Sequence, residues 1–287
     1  MSITRLKWLP FSNTTLAALC SPEQEQMDYT FKITDSAEEL LQAYHLLYHE
    51  YLQAGYITES ANELLFTKHH LLPSTKVFVA KSEESVLSTA TVFSDCPQFG
   101  LPMDELYGKE LDKLRRNNRK ILELGSLASN TYEFSLRGIQ NFTRLVFLYC
   151  LFLDADDVCI MVNPKHAAFY RTRCEFETFG EEKHYTRVNA PAVSLRANLH
   201  IVREKLERHG INHTCREKLS SAYQSLKITL CAHILEVFHG NQLHQPPSTP
   251  LNANLINRLL LGKMADLKDL SMECRMLLNN SYSGLYI

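Results

Sequence analysis

The segment that decides the fold is residues 158–176, which reads VCIMVNPKHAAFYRTRCEF. Its first five residues are apolar, and they predict a fully buried strand over Val158–Val162. Pro164 follows at once and suits the first turn of a helix, and the pattern after it predicts a helix over Lys165–Cys174. A buried strand that leads directly into a helix is typical of a sheet whose strands alternate with helices.

The chain on either side of this segment continues the alternation. Upstream, Ile139–Ala155 is apolar nearly all round and predicts a buried helix, and Ile121–Ala128 predicts another strand. Before these, Lys76–Ala80 and Val86–Ser94 predict a β-hairpin across a polar turn, and downstream Ala190–Leu195 predicts the last strand. The order of elements therefore predicts a mixed α/β sheet flanked by helices.

The two ends of the chain differ in pattern from this centre. Residues 1–28 show no clean period, so we expect an N-terminal segment ahead of the main domain. Near the start of that domain, Ser36 and Glu39 form an S-x-x-E capping box that predicts a helix, and Gly55 ends it. Residues 199–287 contain no convincing strand. We expect a domain over residues 29–198 and a helical C-terminal extension over residues 199–287.

Composition excludes several classes of protein. The 287 residues are 45% hydrophobic and 22% charged, a balance that supports a packed core. The 30 basic and 32 acidic side chains give a net charge of −2, which argues against a nucleic-acid-binding protein. The eight cysteines form no C-x-x-C pair, and no apolar run reaches the roughly 20 residues of a membrane span. We expect buried thiols in a reducing cytoplasm.

Three segments resemble acyltransferases of the GNAT superfamily. Residues 162–176 resemble the GNAT element in which an Asn ends a strand and the next helix carries a Phe-Tyr pair. Residues 43–57 resemble the first helix of the FeeM-type N-acyl amino acid synthases, and residues 99–107 resemble their Gly-Leu-Pro-x-Asp-x-x-Tyr segment. These synthases are related to the LuxI-type acyl-homoserine-lactone synthases. The resemblance covers roughly residues 29–198.

This resemblance implies a fold and an activity. The fold is the GNAT-like acyl-CoA N-acyltransferase fold, a mixed central sheet flanked by helices. The implied activity is transfer of a fatty acyl group from acyl carrier protein or acyl-CoA to the α-amine of an amino acid. The acyl group is expected to be long-chain. Three alternatives stay open: an acyl-homoserine-lactone-type synthase, transfer to another amine, and a non-catalytic acyl-binding module.

One segment departs from the family pattern. The family reads Glu-x-Ser-Arg-Leu-Ala where this chain reads ELGSLA, so Gly125 replaces the Ser and Ser126 replaces the Arg. On a regular strand, a shift by one position turns a side chain to the opposite face. Ser126 is therefore not expected to take over the role of the family Ser. The missing Arg is consistent with a changed amino-acid specificity or with lost activity.

Two residues are the predicted catalytic groups. Amide formation from a thioester needs a neutral amine and a protonated leaving group. Glu123 is predicted to take the proton of the amine through a water or to bind the ammonium group; the alternative is a strand-end carboxylate bonded to backbone or to an Arg. The resemblance implies that Tyr170 protonates the leaving sulfur; the alternative is a core aromatic.

The loop before the helix at 139–155 bears on the acyl donor. Coenzyme A enzymes of this superfamily bind pyrophosphate with a Gly-rich loop at a helix N-terminus, whereas this loop has one Gly and one Arg. A carrier protein presents a single phosphate, so the donor is expected to be an acyl-phosphopantetheine thioester, with no tightly bound cofactor. The predicted substrate- and donor-binding residues are Ser126, Leu127, Arg137, Gly138, Phe142 and Asn163.

An acidic acyl carrier protein would need a basic docking surface. Residues 109–120 carry a net charge of +4, whereas residues 23–63 carry nine carboxylates against one Lys. This asymmetry would steer an acidic partner to one face, although a solvated surface is the more common explanation of either run alone. The predicted docking residues are Arg115, Arg116, Arg119 and Lys120.

No metal site and no Ser or Cys nucleophile are expected. His69 and His70 look like a surface pair, and Gly210 weakens the helix that would bring His209 and His213 together. There is no G-x-S-x-G motif. The amphipathic stretch at residues 255–278 is predicted to pack back onto the chain, with dimerisation and peripheral membrane contact as alternatives. The sequence leaves the oligomeric state open.

Overall fold

The structure is a computed structural model that describes residues 29–153, 155–208, 250–261 and 270–285. In these ranges eight strands form one mixed sheet, with the order β1-β2-β3-β4-β5-β8-β6 and with β7 paired to β8. The strands are β1 (Thr30–Ile33), β2 (Lys76–Ser82), β3 (Ser85–Ser94), β4 (Ile121–Ser129), β5 (Asp157–Val162), β6 (Glu177–Thr178), β7 (Lys183–Tyr185) and β8 (Ala190–Asn198).

The helices of the described residues lie on both faces of this sheet. They are α1 (Ala37–Gln53), α2 (Asp104–Arg115), α3 (Leu136–Phe152), α4 (Pro164–Arg173), α5 (Leu199–Arg208), α6 (Ala253–Leu261) and α7 (Met272–Ser281). Helix α3 covers one face with a large core that includes Phe142, Tyr149 and Cys150. On the other face, α1, α6 and α7 share one hydrophobic cluster, and α2 forms a smaller cluster beside β4.

The central elements agree with the sequence-based expectations. Half of the predicted capping box forms: the Ser36 hydroxyl accepts the backbone N–H of Glu39 at 3.2 Å and starts α1, whereas the Glu39 carboxylate accepts the backbone N–H of Asp35. The β2–β3 hairpin and the strand-to-helix unit β5–α4 lie where they were predicted. Helix α3 starts three residues earlier than expected, because Ser135 caps it. The short strands β6 and β7 were not predicted.

The described helices of the C-terminal extension are tied to the main sheet. Leu255, Ile256 and Leu278 are buried against α1 and β2, and the Tyr282 hydroxyl donates to the carbonyl of Leu71 at 2.7 Å. These contacts follow the predicted packing of the stretch back onto the chain. Among the residues that the structure describes, no helix combines the length and the apolar character needed to cross a bilayer.

Candidate active site

A cleft opens in the middle of the sheet where β4 and β5 separate. The two strands pair in parallel from Ile121 with Asp157 as far as Leu124 with Ile160, and beyond this point no pairing joins them. Both strands are buried where they pair, and both become partly exposed where they separate. The backbone groups of β4 past Leu124 that face β5 are therefore open to another hydrogen-bonding partner.

Glu123 lies at the base of this cleft, one residue before the last strand pair. Its side chain is buried, and one carboxylate oxygen accepts the backbone N–H of Met103 at 2.9 Å. Burial raises the pKa of Glu123 to about 8, and the nearby carboxylates of Asp104 and Asp95 push it in the same direction. A carboxyl group with such a pKa can both accept and release a proton near neutral pH.

The Gly-Leu-Pro-x-Asp-x-x-Tyr segment holds Met103, the hydrogen-bond donor to Glu123, in place. Gly100 has a φ of +61°, and a Cβ atom there would lie 2.5 Å from the Asp104 carboxylate. That carboxylate accepts the backbone N–H of Leu101 at 2.6 Å and pairs with Arg115 at 2.6 Å. The contacts of Asp104 therefore fix the backbone on either side of Met103, the residue that binds Glu123.

Tyr107 anchors the far side of the same segment. Its buried hydroxyl lies 2.9 and 2.8 Å from the carbonyl oxygens of Glu181 and Ala192, which share its single hydrogen. The contact joins α2 to the region of β7 and β8 next to the cleft. The motif that was recognised as a family signature therefore has a structural function in positioning the site.

The structure corrects the expected orientation of Ser126. Thr89 of β3 pairs with Ala128 and Thr91 pairs with Gly125, so β4 has one residue more than β3 between these two pairs. Within this stretch Ser126 has a left-handed φ of +51°. This bulge interrupts the alternation of side chains. The hydroxyl of Ser126 lies 3.2 Å from Nε2 of His70, on the face of the sheet that also carries Glu123, and not on the opposite face.

His70 stabilises the bulge and is not a surface residue. It is 2% exposed, and its ring packs edge-on against Tyr44 and Phe93. Its Nδ1 accepts the backbone N–H of Thr67 at 3.0 Å, so the proton of the neutral ring is on Nε2, and this N–H donates to Ser126. In this tautomer His70 cannot take a proton from Ser126.

Tyr170 lies on α4, packed against the rings of Phe169 and Phe176. Burial raises the pKa of Tyr170, and it also raises the pKa of Tyr51 on α1 to about 12 and that of Tyr185 on β7. Electrostatic coupling links Tyr51 to both of the other tyrosines, and Glu123 contributes to the raised pKa of Tyr185. Within the described residues none of these three hydroxyls has a hydrogen-bond partner, so each is available to a substrate.

The predicted substrate- and donor-binding residues do not all line the cleft. Leu127 and Asn163 lie on its two walls, and Asn163 also caps α4 by accepting the backbone N–H of Lys165 at 3.2 Å. Phe142 is fully buried in the main core beside Phe31, with a distance of 5.8 Å between the ring centroids.

Arg137 and Gly138 lie in the first turn of α3. The backbone N–H of Gly138 donates to the Ser135 hydroxyl at 3.0 Å, and a Cβ atom at Gly138 would lie 2.6 Å from the Phe134 ring. Packing therefore accounts for a glycine at this position. The side chain of Arg137 is outside the described part of the structure, as are His209 and His213.

Two of the four predicted docking residues are occupied by internal ion pairs. Arg115 binds the carboxylates of Asp95, Asp104 and Asp112. Arg119 pairs with the fully buried Asp157, which also binds Arg196. These contacts raise the pKa of both arginines and fix their positions.

Arg116 and Lys120 are exposed, but they precede β4 and so lie at the end of that strand away from the cleft. At ~3.3 Å per residue, the five residues from Lys120 to Gly125 correspond to about 16 Å along the strand. The predicted docking surface is therefore reduced to two side chains and is distant from the cleft.

Several residues of the site could not be found from the sequence. His70 and Tyr185 come from an irregular connection and an unpredicted short strand, and neither has a motif around it. For Met103 the sequence offered one signal, its place inside the recognised family segment. That segment did not indicate that the backbone N–H of Met103 binds Glu123.

Comparisons with known proteins agree with this geometry. A family model described as "N-acyl amino acid synthase FeeM" matches residues 42–198. The structure of FeeM, an N-acyl amino acid synthase from uncultured soil microbes, is 27% identical, with a TM-score of 0.54; the match covers 61% of this chain and 93% of that one. No curated protein sequence matches the chain.

Two acyl-homoserine-lactone synthases of known structure are more distant. LasI is 18% identical over 60% of this chain and 90% of its own, with a TM-score of 0.43. The coenzyme A-dependent synthase BjaI is 10% identical over 81% of this chain and 99% of its own, with a TM-score of 0.49.

Proposed function

Because this chain belongs to the FeeM family of N-acyl amino acid synthases, and is thus an N-acyltransferase with a GNAT-like fold, we propose that it joins a long-chain fatty acyl group to the α-amine of an amino acid. The acyl donor is a phosphopantetheine thioester, on an acyl carrier protein or on coenzyme A. The observation that carries the proposal is the buried carboxyl group of Glu123 at the base of the β4–β5 cleft.

Glu123 is assigned as the group that takes the proton of the acceptor. The α-amine of a free amino acid is mostly protonated at neutral pH, and burial raises the pKa of Glu123 to about 8, which brings the proton affinity of the carboxylate closer to that of the amine. The N–H of Met103 holds one carboxylate oxygen, which leaves the other for the ammonium group or for a bridging water. Approach of the positively charged amine favours the ionised carboxylate, which then removes the proton.

Gly125 keeps this approach open. The position that its Cβ would occupy is 3.8 Å from a carboxylate oxygen of Glu123 and 3.3 Å from the ring of Phe93. A side chain at residue 125 would therefore stand beside the carboxylate. The glycine that departs from the family pattern thus gives the acceptor more room next to Glu123, which supports an active enzyme with an altered choice of amino acid.

The thioester is assigned to the gap between the two strands. Its carbonyl oxygen replaces the missing strand partner and accepts a hydrogen bond from the open backbone of β4 past Leu124. The neutral amine attacks the carbonyl carbon, the new C–N bond forms, and the C–S bond breaks. The attacking nitrogen loses one of its two protons while the acid gives one to the sulfur, so the proton from the nitrogen restores the acid and the products are an amide and a thiol.

Tyr170 is assigned as the acid that protonates the sulfur. Burial raises its pKa, so the phenol stays protonated at neutral pH. Tyr185 has the same property and is coupled to Glu123, which makes it the alternative acid. Replacing Tyr170 and Tyr185 separately by Phe and comparing kcat distinguishes the two, because loss of the proton donor lowers kcat by a factor of ~100 or more.

The proposed reaction is tested by product mass. Purified protein is incubated with a fatty acyl carrier protein thioester or with acyl-CoA, and with a mixture of amino acids; free thiol and product masses are recorded. We expect an N-acyl amino acid from the wild type, little or none from Glu123→Gln, and normal amounts from Glu84→Gln, an exposed carboxylate in the β2–β3 turn.

Other outcomes would contradict this function in different ways. An acyl-homoserine lactone formed from S-adenosylmethionine, with no N-acyl amino acid, would move the protein to the lactone-synthase type. A retained acyl ligand with no thiol release from any donor would identify a binding module. Equal turnover by Glu123→Gln would leave the reaction in place and remove Glu123 from it.

A further inference from the structure

Two histidines and a glutamate meet on the outer face of α1. His45 and His49 lie one helical turn apart, with their Nε2 atoms separated by 3.1 Å. Glu63, from the connection after α1, brings a carboxylate oxygen to 3.4 Å from Nε2 of His45. The three donor atoms all lie within 4.8 Å of one another. No other group of three or more such side chains is found among the described residues.

Two of the three separations between these atoms match the coordination sphere of zinc, and the third is at most 4.8 Å. With Zn–N and Zn–O bonds of ~2.0–2.1 Å and tetrahedral angles, neighbouring ligand atoms lie about 3.3 Å apart. The two measured separations, 3.1 and 3.4 Å, lie on either side of this value. Two imidazoles and one carboxylate are also a ligand set that zinc uses with a water in the fourth position.

Hydrogen bonding alone accounts for this arrangement less well. Nε2 of His45 faces both Nε2 of His49 and the Glu63 carboxylate. A ring nitrogen carries at most one hydrogen, so His45 can donate fully to one of these two neighbours and not to both. A single cation between the three atoms binds a lone pair from each of them.

We propose that His45, His49 and Glu63 form a binding site for one Zn²⁺ ion, with water completing the coordination. The ion would cross-link α1 to the connection that follows it. The same connection is already held at Ser60, whose backbone N–H donates to the Tyr48 hydroxyl at 3.0 Å. The site lies outside the cleft and does not depend on the proposed reaction, so its test stands even if that reaction fails.

The sequence alone does not predict this site. The H-x-x-x-H spacing is visible in residues 45–49, but the third ligand lies 14 residues further on, in a segment with no regular period. Glu63 reaches the histidines because its backbone takes a left-handed φ of +47°, held by a hydrogen bond from its N–H to the carbonyl of Ser60 at 3.2 Å.

The test measures Zn²⁺ binding to the full chain, prepared without a histidine tag, by competition with a chromogenic chelator. His45→Gln, His49→Gln and Glu63→Gln are compared with His184→Gln, an exposed histidine on β7 that serves as the matched control. We expect each of the first three changes to lower the affinity for one equivalent of Zn²⁺ by more than about tenfold. Loss of a residue that only hydrogen-bonds a metal ligand already lowers metal affinity by about that factor. The control should leave the affinity unchanged.

A second measurement separates this site from any other histidines that bind zinc. Co²⁺ in a tetrahedral site gives intense visible absorption, and the band should disappear in the His45→Gln, His49→Gln double variant. Hydrogen exchange at residues 56–66 should slow when Zn²⁺ is added to the wild type and stay unchanged in the double variant. Zinc affinity that is equal in the wild type and the double variant, or no binding by the wild type, would overturn the proposal.

Discussion

The carboxyl group of Glu123 couples the chemistry of the site to the stability of the fold. Its pKa is about 8 in the folded protein and ~4.3 in an unfolded chain. Between these values the folded state holds a proton that the unfolded chain has released, so the free energy of unfolding falls as the pH rises through this window. Glu123→Gln removes that slope, because the amide is neutral at every pH.

We therefore expect Glu123→Gln to be as stable as the wild type near pH ~4 and more stable by about 5 kcal/mol above pH ~8, although the proposed reaction needs the carboxylate. Urea unfolding of both proteins across this pH range measures the difference, with Glu84→Gln as the exposed control. If the difference in the free energy of unfolding between the two proteins stays constant from pH ~4 to pH ~9, burial does not shift the pKa of this carboxyl group.

At single residues, the sequence singled out Glu123 but did not give the orientation or the contacts of other side chains. Glu123 was identifiable because a family pattern surrounds it, and the structure places it in a buried setting. The orientation of Ser126 was wrong because a bulge, not visible in the residue pattern, adds one residue to β4. Arg115 was assigned to a surface because two of the carboxylates that bind it, Asp95 and Asp104, lie 20 and 11 residues away along the chain.

Helix α3 tests whether packing or helix propensity determines the effect of a substitution. Gly138→Ala gains up to ~1 kcal/mol of helix propensity, but its Cβ would lie 2.6 Å from the buried ring of Phe134. Overpacking of this kind costs about 1–3 kcal/mol, so we expect a net loss of stability. Gly108→Ala in α2 is the control, because its Cβ would meet its nearest neighbour at 3.4 Å.

Thermal or urea unfolding of both alanine variants measures this contrast. Gly108→Ala should be neutral or slightly stabilising, whereas Gly138→Ala should be less stable than the wild type. A more stable Gly138→Ala would mean that Phe134 moves aside at little cost. The position would then be free for a role in binding the donor, as the sequence first indicated.

Elements with a strong period or a cap were predictable, and those fixed by distant partners were not. The capped helix α1, the hairpin and the β5–α4 unit each have local signals. Strands β6 and β7 are two and three residues long and exist because β8 provides their hydrogen bonds. The end of α3 is likewise fixed from outside, by Arg203 of α5, which donates to the carbonyls of Leu151, Leu153 and Ala155.

Over the whole molecule, the charge asymmetry seen in the sequence is partly neutralised by folding. The basic run at 109–120 keeps Arg116 and Lys120 exposed, but it lies at the far end of β4 from the cleft. Next to the cleft wall at Asn163, Lys165 and Arg171 of α4 are exposed. A carrier protein that delivers its thioester into the cleft would therefore meet the positive charges of α4 first.

This arrangement predicts where a carrier protein would dock if it is the donor. Lys165→Glu is expected to lower kcat/KM for a fatty acyl carrier protein by about tenfold at low salt, because it opposes the approach of an acidic partner. Arg116→Glu makes the same change of charge at the other end of β4 and should have little effect. With acyl-pantetheine, a donor that has no carrier protein, both variants should match the wild type. A larger effect of Arg116→Glu would place docking at the start of β4, and equal activity of all three proteins at low salt would remove electrostatic docking from the mechanism.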